Sequence, residues 1–134
     1  MNDHLDPVNV VVIENSPHEV LLIREALELW TRPYRVTFYQ NGQDGLDALR
    51  QGGIGSEPTL VLLDWNLIGL HGSKVLQEIR HDPALRKSFV AILTASSSEI
   101  DRQLAHKLGA DKFLTKAIDV DEFFFALLEL QALV

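Results

Sequence analysis

The chain contains no cysteine. Disulfides, thiol catalysis and thiolate metal sites are therefore excluded. No apolar run is long enough to span a bilayer, and the opening residues MNDHLDP are too polar and acidic for a secretory signal. The compartment expected by default is the cytoplasm. Basic residues are in deficit, with 12 Lys and Arg against 19 Asp and Glu, for a net charge of −7. That balance disfavours non-specific binding to nucleic acid. Neither a nucleic-acid nor a membrane partner is expected. There is no composition break, linker or low-complexity tract. At 134 residues, 46% of them hydrophobic, the chain reads as one globular domain over 1–134, with a core over about 8–130.

What the chain does have is a series of short apolar runs that stop on polar residues. The most pronounced is TLVLLDWNLIGLHG, residues 59–72. Leu60-Val61-Leu62-Leu63 is continuous rather than alternating, the pattern of a strand buried on both faces. It ends on Asp64. A carboxylate there is costly unless solvated, paired or bound to a cation; the plainer reading is that it caps the following turn. VNVVVI, residues 8–13, is a second such run and ends on Glu14. Strands are also expected at 35–39, at 89–93 ending on Thr94, and at 112–115, followed by Lys116.

Helices separate the strands. Ser16, Pro17 and Glu19 form a capping signature for the first, with Val20, Ile23, Leu27 and Trp30 on one face. Leu46, Ala48 and Leu49 mark a second, ending near Gly52-Gly53. A third runs from Gly72 to about His81 with Val75, Leu76 and Ile79 inward. The fourth opens at Ser96-Ser97-Ser98-Glu99, takes its face from Ile100, Leu104 and Leu108, and stops at Gly109. The fifth is capped by Asp119, with Phe123, Leu127 and Leu130 as its core stripe. Strand and helix thus alternate five times, which predicts an α/β fold: a five-stranded parallel sheet with helices on both faces.

In such a sheet all strand carboxyl ends share one edge, where ligands bind. Glu14-Asn15, Asp64, Thr94 and Lys116 all fall there. In the doubly wound strand order 2-1-3-4-5, Glu14 and Asp64 meet at the switch point. Two carboxylates that close repel unless a cation intervenes, and Mg²⁺ suits them because it takes hard oxygen ligands and keeps waters. The Thr94 hydroxyl and the Lys116 ammonium suit a phosphoryl group. Each residue alone has a plain structural reading: Glu14 beside a helix N-terminus, Thr94 at a strand end, Lys116 in solvent. Four of them in one register are harder to explain that way.

With those residues placed, the chain resembles the receiver domain of two-component response regulators, a flavodoxin-like fold, over about Val8 to Leu130. VNVVVIENSPHEVLLIREAL resembles the family's first strand, acidic pair and first helix. LVLLDWNLIGLHG resembles the phosphoacceptor strand and loop, and AILTAS and GADKFLTK resemble the segments carrying the switch hydroxyl, switch aromatic and lysine. The resemblance implies that Asp64 accepts a phosphoryl group from a histidine kinase. It implies Mg²⁺ held by Glu14, Asn15, Asp64 and the Asn66 backbone carbonyl, with Lys116 and Thr94 binding phosphoryl oxygens. Thr94 and Phe113 would form the switch, acting on the surface of the fourth helix, fifth strand and fifth helix. Such a protein is not a conventional enzyme; it catalyses only its own phosphorylation and dephosphorylation.

The departures from the family pattern are specific. Asn15 replaces the second acid, which implies weaker Mg²⁺ binding. Ile68 stands where the loop usually has proline, and His71 where it has an acid or similar polar residue. Ala117 follows the lysine in place of a cis-proline; a non-proline cis bond costs about 3 kcal/mol, so either strain is tolerated or the loop runs differently. No output domain is expected. DWNL and RHDPALRKSFVAILTASSSEID most resemble stand-alone receivers paired with phytochrome-type histidine kinases. FFFALLELQALV is unusually apolar for a terminal helix. The resemblance implies a homodimer through the fourth helix, fifth strand and fifth helix; Phe123, Phe124 and Phe125 cannot all face one stripe, so at least one is expected on an exposed or interface face.

The alternatives belong to different classes. A degenerate receiver would act as a binding module without phosphorylation, in keeping with Asn15, Ile68 and Ala117. A phosphatase of the haloacid dehalogenase type expects a second acid two residues after the nucleophile, where this chain has Asn66. A flavodoxin-like FMN protein expects a glycine-rich phosphate loop, and ENSPHE has no glycine.

Overall fold

The computed structural model describes residues 7–52, 57–95, 98–116 and 119–134. The elements are β1 (Val8–Ile13), α1 (Pro17–Glu28), β2 (Tyr34–Tyr39), α2 (Gly42–Gly52), β3 (Thr59–Asp64), α3 (Gly72–His81), β4 (Phe89–Thr94), α4 (Glu99–Lys107), β5 (Lys112–Thr115) and α5 (Val120–Glu129), closed by a short 3₁₀ turn over Leu130–Ala132. The strands form one parallel sheet in the order β2-β1-β3-β4-β5. This is the expected α/β doubly wound topology.

The alternation of side chains along each strand sorts the sheet into two apolar layers. Val10, Val12, Leu60, Leu62, Ala91 and Leu93 face α1 and α5, meeting Ile23, Leu27, Phe123 and Leu127. Val11, Ile13, Val61, Leu63, Val90 and Ile92 face the other side, meeting Leu46, Leu49, Val75, Leu76 and Ile79. Every residue of β3 is buried. The continuous Leu-Val-Leu-Leu run therefore belongs to a central strand covered on both faces. Across the α1–α5 seam, Trp30 donates its indole N–H to the Leu127 carbonyl at 3.1 Å.

Local signals hold at most boundaries. Ser98 and Asp119 cap α4 and α5, accepting backbone N–H bonds from Asp101 at 3.3 Å and from Asp121 at 2.9 Å. Phe123, Leu127 and Leu130 are buried, as the stripe predicts, while Phe125 is 61% exposed. Two expectations are corrected. Of the expected α4 face only Leu108 packs against the core: Ile100 is 78% and Leu104 41% exposed, and Ala105 is the buried residue of the helix. Spacing marks an apolar stripe but not which side of the helix the sheet covers. The capping box at α1 is half formed. Ser16 Oγ accepts from the Glu19 N–H at 3.4 Å, but the Ser16 N–H goes to Glu14 Oε2 at 3.2 Å rather than to Glu19. Ala117, Ser96 and Ser97 lie outside the described residues. No helix among the described residues is long and apolar enough to cross a membrane.

Candidate functional site

The site is built where three strands end. β1 delivers Glu14, whose N–H bonds the Tyr39 carbonyl at 2.9 Å and whose side chain is buried. β3 delivers Asp64, 6% exposed, and the strand's pairing continues one residue further through Trp65 N–H to Leu93 O at 2.8 Å. After β5, the Lys116 N–H bonds the Thr94 carbonyl at 2.7 Å, which directs the lysine back across the sheet edge.

Its ammonium is the centre of the cluster. Lys116 Nζ lies 2.7 Å from Glu14 Oε1, 3.7 Å from Asp64 Oδ1 and 3.8 Å from Glu19 Oε2. The lysine side chain is 11% exposed, and those of Glu14 and Asp64 1% and 9%. This is a mostly desolvated cluster in which charge interactions are strong. The Glu14 carboxyl is nonetheless held above its usual 4.5, because burial outweighs the hydrogen bond and charge of Lys116; the negative charge of Asp64 adds to the rise.

Asn66 ties the acid to the hydroxyl. Its N–H bonds Asp64 Oδ1 at 3.2 Å, and its side-chain amide donates to Thr94 Oγ at 3.4 Å. Thr94 is fully buried. Phe113, on β5, is half-buried with the Arg102 guanidinium 4.8 Å from its ring centre. This is cation–π distance.

Of the residues singled out from sequence, Glu14, Asp64 and Lys116 meet directly, and Asn66 links Asp64 to Thr94. Asn15 does not join them. It is exposed and borders a cleft with Pro17, Leu21 and Phe38. Among the described residues no three His, Asp or Glu side chains are arranged to hold a metal ion together. The donor set nonetheless fits Mg²⁺: the carboxylates of Glu14 and Asp64 and the Asn66 carbonyl are hard oxygens, with open surface at Asn15 for the waters that ion retains.

Three contributors were missed from sequence. Glu19 was assigned to the capping box, yet its carboxylate reaches Lys116. His71 caps α3, its Nδ1 accepting from the Ser73 N–H at 3.0 Å while its ring meets Trp65 edge-on at 5.2 Å. Gly72 lets the chain fold back on the loop after Asp64, with its N–H on the Trp65 carbonyl at 3.0 Å. Histidine is an uncommon cap, and no local spacing marks the other two.

Comparison with known proteins places this geometry. The response regulator receiver domain model matches residues 10–127. Response regulator Rcp1 of Synechocystis sp. (strain ATCC 27184 / PCC 6803 / Kazusa) is 30% identical over 128 residues, covering 92% of this chain and 87% of Rcp1. The crystal structure of the Mn(2+)-bound form of Rcp1 superposes with a TM-score of 0.81 at 27% identity, covering 94% of this chain and 93% of that one. The phosphorylated cyanobacterial phytochrome response regulator RcpA gives 0.81 at 31% identity, covering 92% and 90%. The bacteriophytochrome response regulator AtBRR gives 0.70 at 32% identity, covering 96% and 94%. With the family model spanning most of the chain and the strand order in agreement, the chain belongs to the response regulator receiver family.

Proposed function

We propose that this protein is a phosphoacceptor receiver that takes a phosphoryl group from a sensor histidine kinase onto Asp64, switching the surface of α4, β5 and α5 for partner binding. The observation that carries this reading is the Lys116 ammonium, set 3.7 Å from Asp64 and 2.7 Å from Glu14 at the converging strand ends.

In the reaction an Asp64 oxygen forms a bond to phosphorus while the phosphorus–nitrogen bond of the donor phosphohistidine breaks, and the electron pair leaves with the imidazole. Lys116 pairs with the phosphoryl oxygens, and the Thr94 hydroxyl donates to another. Glu14, Asn15, Asp64 and the Asn66 carbonyl are the residues that would hold Mg²⁺, which would neutralise charge on the phosphoryl oxygens. Asn66 holds Asp64 and Thr94 in one frame. Movement of Thr94 toward the phosphoryl group frees room for Phe113, and the surface of α4, β5 and α5 changes with it.

The kinase class proposed is the phytochrome type, supported by the likeness to RcpA, a cyanobacterial phytochrome response regulator, and AtBRR, a bacteriophytochrome response regulator. The work takes place in the cytoplasm. A second copy of the chain docks through α4, β5 and α5, where Ile100, Leu104, Val120 and Phe125 are exposed. A second reading, a receiver that binds partners without phosphorylation, draws on one observation: Asn15, at the position of the family's second acid, is exposed and uncharged.

Incubation with Mg²⁺ and a small phosphodonor or beryllofluoride separates the two. Intact mass and Trp65 fluorescence are read for the chain and for Asp64→Asn. A phosphoryl adduct that Asp64→Asn abolishes is the expected result. No phosphoryl adduct and no fluorescence response in the original chain would overturn phosphoacceptance and favour the phosphorylation-independent module instead.

A further inference from the structure

Glu19 stands in the first turn of α1, where an acid favours the helix N-terminus. That accounts for its residue type but not for where its side chain goes. The return half of the capping box is closed to it, because Glu14 Oε2 occupies the Ser16 N–H. The Glu19 side chain is instead 15% exposed and its Oε2 lies 3.8 Å from Lys116 Nζ, on the same ammonium that Glu14 and Asp64 share.

Charge makes the placement informative. With Asn15 uncharged, Glu14, Asp64 and Lys116 alone leave one net negative charge for a divalent cation. Glu19 raises that to two. A site pairing two buried carboxylates with one lysine also poses a geometric conflict. The Lys116 ammonium lies 2.7 Å from Glu14, so a cation binding Glu14 meets its repulsion unless the lysine shifts toward another anion.

We propose that Glu19 is a positioning residue of the phosphoryl site: it holds the Lys116 ammonium when Glu14 turns to Mg²⁺, and supplies the negative charge missing at Asn15. This rests on the phosphoacceptor reading for its purpose, but its effect on Mg²⁺ affinity is measurable without any phosphoryl transfer. Glu19 acts through Lys116 and Glu14 and touches no reacting atom.

The test is a titration of the full chain with Mg²⁺ alone, read by the fluorescence of Trp65, which follows Asp64 and is 1% exposed. Glu19→Gln keeps the shape and the backbone bond to Ser16. It is expected to weaken Mg²⁺ binding about tenfold, the loss of one charge near a divalent ion at intermediate dielectric, with the thermal midpoint unchanged. Adding Asn15→Asp to Glu19→Gln is expected to bring the affinity back to within about threefold of the original. Glu19→Asp, which keeps the charge, is expected to stay within the same range. Equal affinity in the chain and Glu19→Gln overturns the proposal. So does a loss in Glu19→Asp as large as in Glu19→Gln, a loss that Asn15→Asp does not restore, or an absence of any Mg²⁺ response. Failure to form an adduct on Asp64 overturns the phosphoacceptor reading separately, while the Mg²⁺ affinities still decide the role of Glu19.

Discussion

The ammonium of Lys116 lies 2.7 Å from the carboxylate of Glu14, joining side chains 102 positions apart in the chain. The contact links the ends of β5 and β1, strands that are not neighbours in the sheet. It is also nearly dry, with the two side chains 11% and 1% exposed. A pair this buried behaves unlike a surface salt bridge: removing one partner strands the other charge.

Lys116→Met is therefore expected to destabilise the fold by about 3 kcal/mol, the usual cost of orphaning a buried ion. Adding Glu14→Gln in the same background is expected to recover part of that loss. Urea unfolding of the four proteins of the double-mutant cycle measures the coupling. A cost for Lys116→Met below about 0.5 kcal/mol would class the pair with exposed bridges.

The pH dependence follows from Glu14. Burial holds its folded-state carboxyl above the ordinary 4.5, so the folded state binds this proton more tightly than the unfolded chain does. The group's contribution to stability is full below 4.5 and is lost as pH rises through the elevated folded value. Glu14→Gln, which cannot ionise, is expected to gain on the original chain over that window. Urea midpoints of both proteins, compared at about pH 4 and about pH 7, report the change; a difference that stays flat between them contradicts the burial argument.

Gly72 sets the geometry of the loop after Asp64. A Cβ there would come within 2.6 Å of the Asp64 carbonyl oxygen, 2.7 Å of Trp65 Cα and 2.9 Å of the Trp65 carbonyl oxygen. All three are backbone atoms, so no side chain can swing aside. Gly72→Ala is expected to cost about 2 kcal/mol through overpacking and to slow adduct formation on Asp64. Thermal unfolding and the time course of the mass shift check both effects. An unchanged melting midpoint would mean that the loop re-forms without strain.

Phe125 is 61% exposed on α5, and Ile100 is 78% exposed on α4. If the proposed dimer forms through this face, Phe125→Ser lowers its fraction in sedimentation velocity while changing monomer stability by less than about 0.5 kcal/mol, as for other exposed positions. A dimer that persists in Phe125→Ser combined with Ile100→Ser would place the contact on another face.

The amino-acid sequence by itself determined the order of elements, the central strands and the strand-end residues. It did so because β3 and β1 are apolar on both faces and stop abruptly on acids, a pattern that needs no neighbour to interpret. The helix caps at Ser98 and Asp119 were legible for the same reason, since a cap acts within a few residues. Tertiary structure decided what local patterns leave open. Ile100 and Leu104 keep helical spacing yet face outward, because periodicity identifies an apolar face but not what covers it. Arg80 spreads its guanidinium over the carbonyls of Gly109 at 2.9 Å and Ser88 at 2.8 Å and the carboxylate of Asp111 at 2.8 Å, a clamp between loops that no spacing announces. Glu19 was assigned to a cap that Glu14 had already filled, and only folding put it beside a lysine nearly a hundred residues away. Side-chain partners across strand ends depend on strand order, which belongs to the folded chain.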